Sequence, residues 1–530
     1  LTAKVVALNI KAGIQRDGTQ FDSPVYIDGE WVRFQRGRPR KVGGYKGIFL
    51  NGTGVSRGMI QSSLTGLNYV YSGYSSGAQW WQTDDDDGVG SGPTAISLSD
   101  FTSNANNLWQ WDIAYDGGGT NALTVMGHPG QNLTHIDSTV NTPVLIGNFP
   151  GGAMAAVKDS AGAHASGANI SVSGGCCMLY PYLFVYGNNG LIKNSSAGNF
   201  AAWNNTDYPD ANENNVSATK IVKGMPLRGG TTSPAGLFWS LDALVRVTYA
   251  PQTVGAATLY WRYDLISSQS SIMSSQCVVE YDGIYYWIGI DRFLAYNGVV
   301  QEVPNQMNMN WFFDNLNYSQ RQKVWATKVP RWGEIWWFYP RGDATECTDA
   351  IIYNVREQTW YDAGSAVGAR RSAGTFSEVF RFPIWAGWEQ NTENKYTIWQ
   401  HEVGTDQIYL NSVDAVLSQF ETNSLGWVSG GPGVRQIENT NRWMRLERIE
   451  PDFVQSGDMN VYITGKSYAQ DTTETTTKYT FAPDTPKIDM REQRREMRIR
   501  FESNVAGGNY ETGQILLSAD IGDERGTANP

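Results

Sequence analysis

The sequence predicts an all-β protein: an irregular β-propeller of six or seven blades, with a C-terminal β-sandwich and an N-terminal extended arm. Three observations lead there. Aromatic side chains make up 12% of the 530 residues, with 20 Trp, and 57 Gly punctuate the chain. Aromatics favour the half-buried surface of a strand and glycine the turns between strands. Long helical periodicity is missing. Strand pairs also recur at near-regular spacing: marked by Tyr69, Leu123, Leu183, Phe238, Tyr285, Ile335 and Thr397, they lie 54, 60, 55, 47, 50 and 62 residues apart. A four-stranded blade takes about 40–50 residues, so the spacing leaves room for loop insertions.

Residues 1–46 form the arm. Gly13-Ile14-Gln15-Arg16-Asp17-Gly18-Thr19 is rich in turn formers, and residues 26–34 read as a strand pair around Asp28-Gly29. Arg36, Arg38, Arg40 and Lys41 then crowd into six positions. With too little apolar content to fold alone, the arm should dock on the rest of the chain or on a neighbouring copy, burying Trp31 and Phe34. Residues 47–411 form the propeller. Its clearest stretch is 279–361, where apolar runs are cut by Asn297-Gly298, a pair that tolerates the positive φ of a hairpin turn. Within it, Met309, Phe312, Phe313 and Leu316 keep helical spacing. From about residue 412 short runs alternate with period two, as in Val461-Tyr462-Ile463-Thr464 and Met497-Arg498-Ile499-Arg500-Phe501, which indicates strands with one face in a core. Residues 412–520 therefore read as a sandwich, and 521–530 as a flexible tail.

The net charge is −11. A chain whose main task is gripping nucleic acid is usually basic. Cys176, Cys177, Cys277 and Cys347 form no CxxC pair and read as reduced, buried thiols. No charged segment followed by an apolar one opens the chain, and no apolar run approaches about 18 residues, so it reads as made and left in the cytosol with no membrane-spanning segment.

Signatures of catalysis are weak. Gly54-Val55-Ser56-Arg57-Gly58 matches G-x-S-x-G in letters, but a nucleophile elbow needs a helix directly after the serine, and the sequel reads as strand. Of four His, His128 and His135 lie across a hairpin without a visible third metal ligand. Asp84, Asp85, Asp86 and Asp87 lack the spacing of a calcium loop and read as a solvated tip. The pairs Trp80-Trp81, Trp109 with Trp111, and Trp336-Trp337 could stack on sugars but read as core. Carboxylate pairs converging from several blades, as a propeller glycosidase needs, stay open among 52 acidic residues. The reading is of a chain that is not an enzyme, with no catalytic residue, metal or cofactor.

Four islands resemble short-tailed (podovirus) bacteriophage tail proteins. They are the arm from Gly13 to Thr19 and from Trp31 to Tyr45; Gly54 to Gly58; Glu334-Ile335-Trp336-Trp337-Phe338-Tyr339-Pro340 with Ile352-Tyr353-Asn354 and Thr359-Trp360; and the end from Arg445 to Ser518. The family is the tail hub or nozzle, called a head-completion or stabilisation protein in some phages. The resemblance implies a virion structural protein assembled in the host cytoplasm. It implies a ring of about six copies below the portal, touching the head-to-tail adaptor and a tail fibre or tailspike. DNA would pass through the ring channel without specific binding. The alternative is a carbohydrate-binding or carbohydrate-cleaving propeller of a phage tail. Two basic clusters, Arg33, Arg36, Arg38, Arg40 and Lys41, and Arg491, Arg494, Arg495, Arg498 and Arg500, are the candidate interfaces with acidic neighbours, since arginine pairs bidentately with carboxylates. The ring lumen is expected to be negative or neutral, with both clusters away from it.

Overall fold

The computed structural model describes residues 3–524 except 21–22, 65–66, 84–90, 97–102, 106, 116–122, 131–143, 147–153, 157–171, 201–202, 204, 206–207, 229–233, 256, 377–380, 429–430, 433–441 and 468–469. The aspartate run at 84–87, His135 and His164 lie outside the described residues.

Six consecutive antiparallel sheets of four strands follow one another in chain order. Blade 1 begins with Met59–Leu64, blade 2 with Gln110–Tyr115, blade 3 with Gly175–Leu179, blade 4 with Ile221–Pro226, blade 5 with Val279–Tyr281 and blade 6 with Trp325–Val329. Blade 7 is composite. Arg371–Thr375, Ile384–Gln390 and Tyr396–His401 supply three strands, and Tyr45–Gly52, from the far end of the chain, pairs antiparallel with Tyr396–His401 as the fourth. The first strands of all seven blades line one axial cavity, which makes this a seven-bladed propeller among the described residues. Closing the last blade with a strand from the start of the chain leaves no open seam in the ring.

The spacing in sequence has a structural cause. Tyr69, Leu123, Leu183, Phe238, Tyr285 and Ile335 all sit on the second strand of their blades, whereas Thr397 sits on the third strand of blade 7. That shift produces the longest interval. Of the aromatic pairs, Trp81, Trp109, Trp336 and Trp337 are core, Trp81 stacking on Phe49 with centroids 5.4 Å apart, whereas Trp80 and Trp111 are half-buried. The short helix Met309–Asn315 turns Phe312 inward against Tyr339, at 4.7 Å.

The C-terminal strands form two facing sheets. One has the order Lys4–Ala7, Leu516–Glu524, Arg442–Glu450, Ile488–Arg494; the other Asp28–Glu30, Ser418–Glu421, Glu496–Ser503, Met459–Lys466, Thr475–Phe481. Met459–Lys466 alternates buried and half-buried residues without a break, the pattern of a strand with one face in a core. A smaller sheet joins Phe453–Ser456, Asn509–Thr512, Arg38–Lys41 and Val32–Gln35.

Two expected boundaries fall elsewhere. Residues 1–46 dock on the rest of the chain: their strands complete both sandwich sheets, and Tyr45 already belongs to blade 7. The sandwich, expected to end at 520, has a last strand that continues to Glu524, paired with Arg442. The physical reason is the same in both cases. Isolated edge strands leave backbone donors and acceptors open, and distant segments of the chain close them. Trp31 and Phe34 are buried as expected.

Candidate functional site

Two places gather charged side chains in the interior: the junction of propeller, sandwich and N-terminal strands, and the propeller axis.

At the junction, Val32–Gln35 carries Arg33 into a pocket between blades 6 and 7. The Arg33 side chain is only 1% exposed, and its partners are Glu334 on the second strand of blade 6 and Glu402 just after the third strand of blade 7. Arg33 Nε and Nη2 donate to Glu334 at 2.8 and 3.0 Å, and Nη1 and Nη2 to Glu402 at 2.7 and 2.6 Å. The remaining lone pairs are used too. Tyr361 Oη and Trp336 Nε1 donate to Glu334 at 2.7 and 2.8 Å, and Trp332 Nε1 donates to Glu402 at 2.9 Å. Burial alone would raise the Glu402 pKa, but Arg33 and the Trp332 hydrogen bond outweigh it and hold the carboxyl below its ordinary value. Above this group Trp31, held at φ 50°, packs edge-on against Trp336 at 5.8 Å and Tyr45 at 5.9 Å.

Around it lie further answered charges. Arg16 donates twice to Asp362, at 2.9 Å each, and also pairs with Asp28. Arg57 pairs bidentately with Glu346, at 2.7 and 2.5 Å. Nearby Glu30 is pushed up to about 7 by burial and by the charges of Asp28, Asp349 and Asp362, against the pull of Arg16.

The ten cations singled out in the sequence therefore divide. Arg33, Lys41 and Arg498 are not surface interface groups; this corrects the expectation. Lys41 Nζ donates to Gly508 O at 2.8 Å, and Arg498 binds Glu474 at 2.8 Å, Glu421 at 3.2 Å and Gln20 at 2.6 Å. Arg40 bonds to Glu511 at 2.9 Å, Arg494 to Glu492 at 2.7 Å and Arg495 to the Ser467 carbonyl at 3.2 Å. Arg500 lies over the Tyr462 ring at 4.3 Å. Arg38 is half-buried, Arg36 is 77% exposed while pairing with Glu511, and Arg491 is exposed. The cations alternate along strands as an exposed face would, but acidic strands of the same chain lie beside them. The strand of Arg40 pairs with that of its partner Glu511.

Sequence reasoning missed Glu334 and Glu402. A single carboxylate inside the aromatic run Glu334–Tyr339 is a visible signal for the first; nothing near Glu402 announces the second.

The axis is the other place. The inner strands enclose about 400 Å³, and Trp111, Asp112, Lys223, Arg228, Glu280 and Lys328 contribute to the wall. Glu280 accepts from Lys328 at 3.1 Å and lies 3.7 Å from Arg228. The serine of the G-x-S-x-G match is a core residue: Ser56 Oγ accepts from Ser72 at 2.8 Å, and a strand follows it. His128 is buried and its pKa is lowered to about 3, first by desolvation. The four cysteines are buried and free. Among the described residues no group of three or more His, Cys, Asp or Glu is placed to hold a metal, and no helix is long and apolar enough to cross a membrane.

No family model and no curated protein matches the chain. Among solved structures it is similar to a polysaccharide lyase, the PL25 ulvan lyase bound to a glucuronate–rhamnose 3-sulfate saccharide. The TM-score is 0.38 with 12% identity, over 69% of this chain and 97% of that one. On this finding the expectation that the chain is not an enzyme is withdrawn, since the protein it is similar to is a catalyst. The likeness assigns no reaction and no residue to this chain.

Proposed function

We propose that the chain is a structural subunit of the tail hub of a short-tailed phage, repeated six times around the DNA exit channel and joined to an adaptor above and to fibres or spikes at its side. One observation carries the reading. The islands that resemble tail proteins are scattered over the sequence, yet three of the four pack into one buried core. Trp31, Phe34 and Tyr45 from the first island, Trp336 and Phe338 from the third, and Leu446, Ile463 and Phe501 from the last all belong to it. What these islands encode is a rigid connection between propeller and sandwich, which a ring component under the strain of assembly and genome exit requires.

In this reading DNA runs along the ring axis between subunits. The propeller's own cavity, about 400 Å³, is the size of a small-molecule pocket, whereas duplex DNA has a major groove ~12 Å wide alone. An acidic chain repels a duplex within a Debye length of about 8 Å and keeps it from being held. Native mass spectrometry tests the proposal: a complex of six 58.7 kDa chains, formed alone or on a portal–adaptor complex, is expected. A chain that stays monomeric and binds no adaptor overturns it.

A second reading, handling of an acidic polysaccharide, has the axial cavity in its favour, because Trp111 stands there beside both cations and carboxylates. Incubation with uronate-containing or sulfated polysaccharides, followed by chain-length analysis, tests it; products that disappear in a Glu280→Gln variant would establish it.

A further inference from the structure

The propeller axis holds cations that the protein itself does not answer. Five charged side chains line the cavity: Asp112, Lys223, Arg228, Glu280 and Lys328. Their circumstances differ. Glu280 is occupied by Lys328, by Arg228 and by the Gly283 backbone N–H at 2.8 Å. Asp112 accepts from the backbone N–H groups of Ile113 and Met178, at 2.8 Å each. The acceptors are thus taken. Among the described residues Lys223 has no hydrogen bond and no ion pair for its ammonium group. Burial lowers its pKa; Asp112 and the thiols of Cys176, Cys177 and Cys277 pull the other way without touching it. On the same wall, the Trp111 indole N–H finds no acceptor in the protein.

A second cavity, about 290 Å³, is formed by residues that lead into the same inner strands. Its charged lining consists of Lys220 and Arg321, with no carboxylate. Lys220 is also held down by burial, and Arg321 lies over the Tyr318 ring at 4.9 Å. In a chain of net charge −11, two lysines without an ion pair among the described residues, and an arginine held over a tyrosine ring, run against the overall balance. Lys220 and Lys223 are half-buried, and a partly desolvated ammonium without a partner costs stability, so these lysines are not there for the fold.

We propose that the propeller axis is an oxyanion-binding site, with Lys223 as the central cation and Lys220 and Arg321 at the approach. The ligand is a small molecule bearing a carboxylate, sulfate or phosphate group. Both cavity volumes suit a small ligand, and lysine is a point-charge partner for such groups. The inference rests on neither functional reading above.

Calorimetric titration of the full chain with inorganic phosphate, a sulfated uronate disaccharide and a neutral disaccharide tests it. The anionic probes are expected to bind and the neutral one not to. Tighter binding of the saccharide than of phosphate assigns the site to acidic sugars; equal or weaker binding assigns it to free anions. Lys223→Met is expected to weaken binding at least tenfold while raising the melting temperature, a combination that a structural lysine would not produce. A Lys220→Ala/Arg321→Ala double variant, altered only at half-exposed positions, is expected to weaken binding about threefold and serves equally if Lys223→Met does not fold. Absence of binding by the wild-type chain overturns the proposal. So does unchanged affinity in a folded Lys223→Met protein, or in the double variant if that is the one tested. Neither result touches ring assembly, which mass spectrometry reads separately.

Discussion

The junction and the axis treat buried charge in opposite ways. At the junction Arg33 meets two carboxylates, and every oxygen of Glu334 receives two donors. At the axis Lys223 meets none among the described residues. Buried ion pairs seldom add net stability against an apolar core, because desolvation offsets the attraction, but losing one partner is severe. The junction therefore uses charge to define one geometry between three parts of the chain. The axis keeps a charge in reserve. The difference teaches that burial of an ion is not itself a sign of function; the informative sign is whether the rest of the chain answers it.

The largest expected effect comes from breaking the junction. Arg33→Met leaves Glu334 and Glu402 facing each other without a cation and should cost about 3–5 kcal/mol, read by urea denaturation. The triple variant Arg33→Met/Glu334→Gln/Glu402→Gln should recover much of that loss. If the single variant costs less than about 1 kcal/mol, the junction is not the organising contact described above.

A second effect follows from pH. The folded-state pKa of Glu402 lies below its ordinary value of 4.5, so its contribution is present above that value and disappears as pH falls through the folded value. The Arg33→Met variant should lack this acid-side loss. Glu30 has the opposite sign. Its folded pKa of about 7 stands above the unfolded one, so its contribution is complete below pH ~4.5 and is lost as pH rises toward 7. Glu30→Gln should raise the melting temperature at pH 8 and leave it nearly unchanged at pH 4. Equal shifts at both pH values would remove Glu30 from the comparison.

The smallest effect on the isolated chain is expected at the surface. Arg36 is 77% exposed, and exposed pairs contribute about 0–1 kcal/mol. Arg36→Glu should therefore leave the melting temperature almost unmoved. If the tail-hub proposal holds, the same change should weaken assembly with a neighbouring acidic surface, read by native mass spectrometry. Intact assembly would leave Arg491 as the exposed candidate.

Much of the fold was legible in the residues. The Asn297-Gly298 turn, the aromatic strands of blades 5 and 6, and the period-two alternation of Met459–Lys466 are local signals, written in neighbouring residues. The blade spacing was legible because each of the first six marker residues sits on the apolar-rich second strand of its blade. The basic clusters misled, because a cation run looks the same whether its carboxylate partners are in another molecule or some 300 residues along the same chain, as Glu334 is from Arg33.

By itself, then, the sequence determined the strands, their turns, the repeat and the acidic balance. These depend on backbone preferences and on the period of side chains along a strand, which act over a few residues. Only the tertiary structure decided that Tyr45–Gly52 closes blade 7, that strands within the first 46 residues complete the sandwich sheets, and that Arg33 finds Glu334 and Glu402. Each of these is a pairing across hundreds of residues. Such pairings follow from which open edge or unpaired charge the whole folded chain can bring into reach, and no local pattern encodes that.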